Sequence, residues 1–591
     1  MKTYLKLIAL LIAITYSCKE KPKRETKNLS EKFTQLLNNY YEDELILNPI
    51  NATTAGDHRY NDIFVNNLSS EFINTSKTHY THYKKQLNSF PNDSLTESEQ
   101  LSKTILNWEC DIKLNEFNFN ANLTPIDQMW SVNLFVGQLA SGSSAQPFKT
   151  VDDYNKWLKR VDGYLEWITS ATERMKEGIN KKHVLPKSLI IKVIPQLKAL
   201  TNKDVEKHLF YQPALNFPVN FTENQKSELT NAYKNMVSNK VIPAYEKLYT
   251  FISTTYLEAG RETSGIQGVP NGDAYYAHQI KKYTTTNMTA EEIHTLGLKE
   301  VARIRSEMEK IKAQVGYKGD LKDFFNYVRN SKKLMPFKEP SEVIANFNTI
   351  HEKMKPQLEK LFDVKPKTPF EVRRTEAFRE KSASAEYNPG SIDGTRPGIF
   401  YTPIPDATKY NTYSDESLFL HEAIPGHHYQ ISLTQESNIL PKFRKTLWYS
   451  GYGEGWALYC ESLGEELGLY TDPYQLFGML GAEMHRAVRL VVDTGLHSKG
   501  WTREQAIEYS LENEAESKEG ITSEIERYMA NPGQALSYKI GQLKIQELRK
   551  KAKNAMGEKF SIKEFHNQIL ETGCVPLALL EDKINNWITQ E

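Results

Sequence analysis

One apolar stripe after another at helical spacing runs through this chain, and most stripes open on a side-chain cap. From Tyr154, apolar residues fall at Trp157, Leu158, Val161, Tyr164, Leu165 and Ile168, behind Thr150. A period near 3.6 residues predicts an amphipathic helix. Behind Thr289, with Glu292 three residues on, come Ile293, Leu296, Val301, Ile304, Met308 and Ile311, and Gly316 marks the stop. A Thr hydroxyl that meets the third helical N–H, while the side chain there reaches back, is a helix start with a physical mechanism. Similar starts occur at Thr96 with Glu99, Thr222 with Gln225, Thr502 with Gln505 and Ser561 with Glu564. The strand signal is thin, and its best candidate is Ile399 to Thr402. The expectation is a mainly α chain with one small β element.

Charge and hydropathy narrow what such a chain does. Lys plus Arg and Asp plus Glu both number 74, so no global basic field exists to hold nucleic acid. A mean hydropathy of −0.57 over 591 residues, with no long apolar run beyond the amino terminus, excludes a polytopic membrane protein. No internal repeat breaks the rest, so residues 29–591 read as a single domain.

The amino terminus reads as an address. Lys2 and Lys6 precede the apolar stretch Leu7 to Thr15, which is too short to span a bilayer. Ser17-Cys18 closes it, and a small residue directly before Cys resembles a bacterial lipobox. Residues 1–17 are therefore expected to be a signal peptide. Cys18 would be the lipidated first residue of the mature chain, the membrane contact would run through that lipid alone, and 18–28 would be a linker. The expected location is the cell envelope, at the outer membrane. Cys110, Cys460 and Cys574 remain, too few and too far apart for a disulfide framework or a CxxC metal site.

The chemistry concentrates in Leu418 to Gln430, LFLHEAIPGHHYQ. A His-Glu pair followed by another His is how a helix builds a zinc hydrolase site, with the Glu aimed at the metal's water. The usual HExxH spacing puts both His one turn apart. Here a regular helix would turn His427 about 120° away from His421, and His428 would sit about 10.5 Å further along the axis. Pro425 removes the N–H that the His421 carbonyl needs, and Gly426 adds freedom. The helix should break between the two His residues and let the second swing back to a shared metal.

These strings resemble the gluzincin class of metallopeptidases. Gly426-His427 matches the Gly-His dipeptide of angiotensin-converting enzyme and dipeptidyl peptidase III, which makes His427 the expected second ligand and His428 a neighbouring or substrate-binding group. Gly453 to Glu461, GEGWALYCE, resembles the NEGFAxYxE helix of thermolysin-like aminopeptidases. By that resemblance Glu454 is the third ligand, and Glu461, on the same helical face, orients a ligand from behind.

A wider resemblance covers almost the whole mature chain. Pro49 to Tyr60, Tyr283 to Met308, Asp393 to Tyr401, His421 to Gln430, Gly453 to Glu461, Arg489 to Trp501 and Pro532 to Gly541 are similar to the bacterial domain-of-unknown-function 885 family. That family resembles helical zinc peptidases of the angiotensin-converting enzyme and neurolysin type. The resemblance implies a zincin-like fold with two lobes around a deep channel, a Zn2+ cofactor and a short peptide substrate, with no obligate protein partner. Glu422 would be the general base, and Tyr538 the oxyanion donor, followed by Tyr528, His485 and His497. Arg396, Arg486 and Arg489 are candidates for a substrate carboxylate. Two rival readings stand beside this one. A helical solute-binding lipoprotein leaves the His and Glu residues unused, and a zinc hydrolase of non-peptide amides or esters would use the same site.

Overall fold

The computed structural model describes residues 23–142, 144–376, 380, 383–391 and 396–590. The expected signal peptide and Cys18 lie outside the described residues. The elements that build the site are, in chain order, α1 (Lys23–Leu47), α2 (Val151–Asn180), α3 (Ala290–Gln314) and α4 (Pro340–Leu361). The short strands β1 (Phe370–Arg374), β2 (Glu386–Asn388) and β3 (Gly398–Thr402) follow. Next come α5 (Asp415–Glu422), α6 (His427–Glu436), α7 (Ser450–Glu461), α8 (Pro473–Ser498), α9 (Lys518–Ala530) and α10 (Ser537–Met556). The chain is mainly helical. α1 already begins at Lys23, so the stretch read as a linker is helical over its second half.

The caps act as the sequence predicts. Thr289 Oγ1 accepts from the Glu292 N–H at 3.2 Å, and the Glu292 carboxylate takes the Thr289 N–H at 2.8 Å. Reciprocal boxes also start the helices after Thr96, Thr150, Thr222 and Thr502. At Ser561 the hydroxyl alone caps, accepting from the Glu564 N–H. Gly316, at φ +77°, ends the run beyond α3.

Three apolar clusters hold these elements. One surrounds α2, through Trp157, Tyr164 and Trp167. A second joins α3 to α8, through Ile304, Met308, Met484 and Val488. The third gathers Phe33 of α1, Phe347 of α4, Phe400 of β3, Phe419 of α5, Trp456 of α7 and Ile545 of α10. Burial of such side chains stabilises by roughly 1.5–3 kcal/mol each, and this third cluster fixes the helices that carry the conspicuous His and Glu residues.

The expected strand at 399–402 is present as β3, but it sits between two partners that the sequence did not announce. β1 pairs parallel and β2 antiparallel to it, in the order β1-β3-β2. Phe400 puts its ring 5.0 Å from that of Phe347, which ties the sheet to α4.

α7 and α10 cross in near backbone contact. A Cβ on Gly455 would lie 2.5 Å from the Gly541 Cα, and one on Gly541 would lie 1.9 Å from the Gly451 carbonyl oxygen. Only glycine permits that approach. It brings Tyr538, about one turn before Gly541, to the side of α7 that carries Glu454. Among the described residues no helix is long and apolar enough to cross a membrane.

Candidate metal centre

The break expected after His421 is built as follows. α5 ends at Glu422, Ala423 leaves the helical region at φ −107°, ψ −107°, and α6 restarts at His427 after Gly426 at φ −72°, ψ −128°. The Ile424–Pro425 bond is cis. Trp456 of α7 donates its indole N–H to the Pro425 carbonyl at 2.9 Å, which pins the break from behind. A Cβ at position 426 would lie 1.9 Å from the His421 carbonyl oxygen and 2.3 Å from that of Leu420. The chain can fold back this tightly only through glycine. The two imidazoles then face each other with ring centroids 4.8 Å apart, planes at 88°.

Glu454 of α7 completes the group. Its Oε2 lies 3.7 Å from His421 Nε2 and 3.4 Å from His427 Nε2. The ligand atoms of these three residues all lie within 4.8 Å of one another. Donors about 2.0–2.2 Å from one tetrahedral zinc are separated by roughly 3.4 Å, so the set fits such an ion with small side-chain adjustments. Behind it, His421 Nδ1 meets Glu461 Oε1 at 2.7 Å. The Nδ1–H donates to that carboxylate, which fixes the ring so that Nε2 is the nitrogen turned toward Glu454 and available to an ion. Two buried atoms here, His427 Nδ1 and Glu461 Oε2, have no hydrogen-bond partner among the described residues.

The electrostatics follow from three imidazole and carboxylate pairs in a dry place. Burial alone would pull the His421 imidazole toward neutrality, but Glu454 and Glu461 outweigh it and push its pKa up to about 9. Burial works against the Glu454 carboxylate too, yet His421 and His427 hold it well below the usual carboxylate range. The pocket thus favours positive charge at His421 between two carboxylates, and a bound dication would supply that charge instead. Glu422 behaves differently. Burial raises its carboxyl above the ordinary range, Glu454 adds to that, and His421, His427 and Arg486 pull it back in part.

His428 turns the other way. Its Nδ1 meets the Tyr387 hydroxyl of β2 at 3.0 Å, its ring lies 5.0 Å from Phe370 of β1, and burial pushes its pKa down to about 4. It secures the sheet to α6. Arg396 is exposed, with its backbone N–H donating to Ser391 Oγ, and no described contact brings it to the metal group.

The candidates on the late helices separate clearly. His497 is fully buried, accepting from the Ile266 N–H and donating to the Tyr528 carbonyl, each at 3.0 Å. The Tyr528 hydroxyl is taken by Glu524 at 2.6 Å and Arg489 at 2.9 Å. His485 is held between Glu514 and Arg489. All three act in packing and hydrogen bonding rather than at the metal group. Tyr538 is half-buried; burial and then the Glu454 charge raise its pKa. Its ring lies under two guanidiniums, 4.6 Å from Arg489 and 5.9 Å from Arg486.

Two neighbours escaped the sequence reading. Trp448, 43% exposed, sets its ring 5.8 Å from that of His427, and Trp456 holds the break. Trp448 lies just before the ligand helix and Trp456 directly after GYGEG within it, so a tryptophan on each side of that string was the available signal.

No curated protein matches the chain. Two solved structures, each described as a "putative lipoprotein", share its fold. One, from Colwellia psychrerythraea, is 28% identical with a TM-score of 0.88, covering 95% of this chain and 100% of its own. The other, from Shewanella oneidensis and described as of unknown function, is 19% identical with a TM-score of 0.74, covering 93% and 99%. Residues 49–584, which hold all three donors, the three strands and the helices α2 to α10, match the pattern of the bacterial proteins of unknown function grouped as DUF885, and the chain belongs to that family.

Proposed function

We propose that this chain is a peptidase that hydrolyses short peptides with one Zn2+ held by His421, His427 and Glu454. The observation that carries this reading is the convergence of those three donors within 4.8 Å, next in sequence to the raised carboxyl of Glu422. Three protein donors leave a fourth position free, which is the pattern of catalytic rather than structural zinc sites. When bound, Zn2+ supplies Lewis-acid activation of water and of an amide carbonyl.

The protein's own groups do the rest. Glu422 takes the proton of the attacking water and delivers it to the leaving amine. Its buried carboxyl is a stronger base than a surface glutamate. Glu461 fixes the His421 tautomer. Tyr538, near enough to Glu454 for that charge to act on its phenol, donates its hydroxyl to the oxyanion that develops on the carbonyl. In this reading the helical body is zincin-like, with two lobes around a deep channel, and the chain is an exported lipoprotein held through Cys18 at the outer membrane.

Cleavage of a short-peptide mixture, followed by mass spectrometry, tests the reading on zinc-loaded wild type beside Glu422→Gln, with metal content measured for both. The expected result is cleavage by wild type only, with one zinc in each. Zinc in both and cleavage by neither would overturn the peptidase reading and favour non-peptide amides, esters or simple capture.

A further inference from the structure

Arg486 and Arg489 occupy one face of α8, three residues apart, and both guanidiniums lie over the Tyr538 ring. Their other contacts leave charge unmatched. Arg489 is 7% exposed. It gives Nε to the Tyr528 hydroxyl at 2.9 Å and Nη2 to Glu524 and His485, each at 3.0 Å. Its Nη1 is buried and has no acceptor among the described residues. Glu524 must also serve Arg527, at 2.9 Å. Arg486 has less: a long contact of 3.4 Å from Nη1 to the Ala482 carbonyl, and a buried Nε with no acceptor. Glu514, the other carboxylate nearby, is engaged by His485.

Arg489 and Arg527 therefore share the Glu524 carboxylate, and Arg486 has no carboxylate within ion-pair distance among the described residues. A buried donor without an acceptor costs free energy unless a ligand supplies one. Tyr538 stands on α10 one turn before Gly541, whose backbone packs against Gly451 and Gly455 on either side of Glu454, so the ring under these cations sits beside the helix that carries the third donor.

We propose that Arg486 and Arg489 form a carboxylate-binding subsite that holds the free C-terminus of a short peptide beside the metal group. The planar fork of a guanidinium fits a carboxylate through two parallel hydrogen bonds. An anchor beside the helix that carries Glu454 fixes the cut near the last residues of the substrate, so the enzyme removes one or two C-terminal residues rather than cutting internally. This deepens the peptidase reading and rests on it for the identity of the ligand.

Binding without turnover tests it. Zinc-loaded Glu422→Gln protein is titrated by calorimetry with acetyl-Ala-Ala-Phe and with the same tripeptide as its C-terminal amide, then again after chelation of the metal. The free acid should bind about ten- to a hundred-fold more tightly than the amide, as expected for hydrogen bonds to a charged group. That preference should survive chelation. Adding Arg486→Gln should abolish it, while Arg486→Lys should keep part of it, with circular dichroism verifying the fold of both. Equal binding of acid and amide overturns the proposal, as does failure of both to bind at millimolar concentration. A preference that disappears with the metal but persists in Arg486→Gln also overturns it, by putting the carboxylate on the ion. Loss of peptide cleavage in the mixture assay leaves this result standing, so the two readings fail separately.

Discussion

His421 Nδ1 and Glu461 Oε1 lie 2.7 Å apart, both side chains buried, where α5 meets α7. The second oxygen of Glu461 has no partner among the described residues, so the contact with His421 is the hydrogen bond that positions this side chain. A carboxylate behind a ligand His sets the tautomer and raises the basicity of the coordinating nitrogen. Glu461→Gln keeps the shape and removes the charge. It should weaken zinc binding by about 10- to 100-fold while leaving the circular dichroism spectrum unchanged. Competition against a chromophoric chelator measures this, and an affinity within twofold of wild type would remove Glu461 from the site.

His427 and His428 take opposite orientations. His427 Nε2 lies 3.4 Å from Glu454, whereas His428 Nδ1 is occupied by the Tyr387 hydroxyl at 3.0 Å. His427→Gln should therefore lose stoichiometric zinc, and His428→Gln should retain it at some cost in stability. Metal analysis of the two purified variants checks this. Zinc retained by the first and lost by the second would reverse the assignment.

Much of this was legible in the sequence because local chemistry dictates it. Thr289 with Glu292 starts a helix wherever it lies, and Pro425-Gly426 must interrupt one. What stayed hidden depends on contacts between distant elements. β1 reads FEVRR, too charged to look like a strand, and it pairs because β3 is held against Phe347. Tyr528, His485 and His497 carry the right side chains for an oxyanion donor. Their hydroxyl and ring atoms are consumed by Glu524, Glu514, Arg489 and backbone partners that only the packed α8 and α9 bring near. Residue type told which groups have catalytic potential, and packing told which of them are free to use it.

Gly426 offers a test of the break itself. Any Cβ there meets the carbonyl oxygens of Leu420 and His421 at 2.3 and 1.9 Å. Neither can yield without moving the helix end that carries His421. Gly426→Ala should cost about 1–3 kcal/mol, the usual penalty for forced overpacking, and should reduce zinc binding along with it. Urea unfolding and metal content, measured on the same sample, should fall together. Full stability with full zinc content would mean that the turn relaxes at no expense to the site.

Asp493 of α8 links stability to pH. It is wholly buried, accepts from the Tyr276 hydroxyl at 2.5 Å, and accepts from the N–H of Gly533 at 3.1 Å. Burial pushes its pKa up from 3.8 to about 7, with Tyr276 and Gly533 opposing the rise. The folded state thus holds its proton more tightly than the unfolded chain does. Stability from this group is fully present below the unfolded value and is lost as pH climbs toward the folded one, because the native carboxylate must then ionise in a dry place. Asp493→Asn keeps one oxygen to accept from both donors and removes the ionisation. Relative to wild type, the variant should gain about 2–3 kcal/mol between pH 5 and pH 8 at 1.36 kcal/mol per pKa unit. Urea unfolding of both proteins at the two pH values reads the difference directly. A gap that does not change with pH would show that Asp493 is already ionised in the native protein at pH 5, with Tyr276 and Gly533 outweighing its burial.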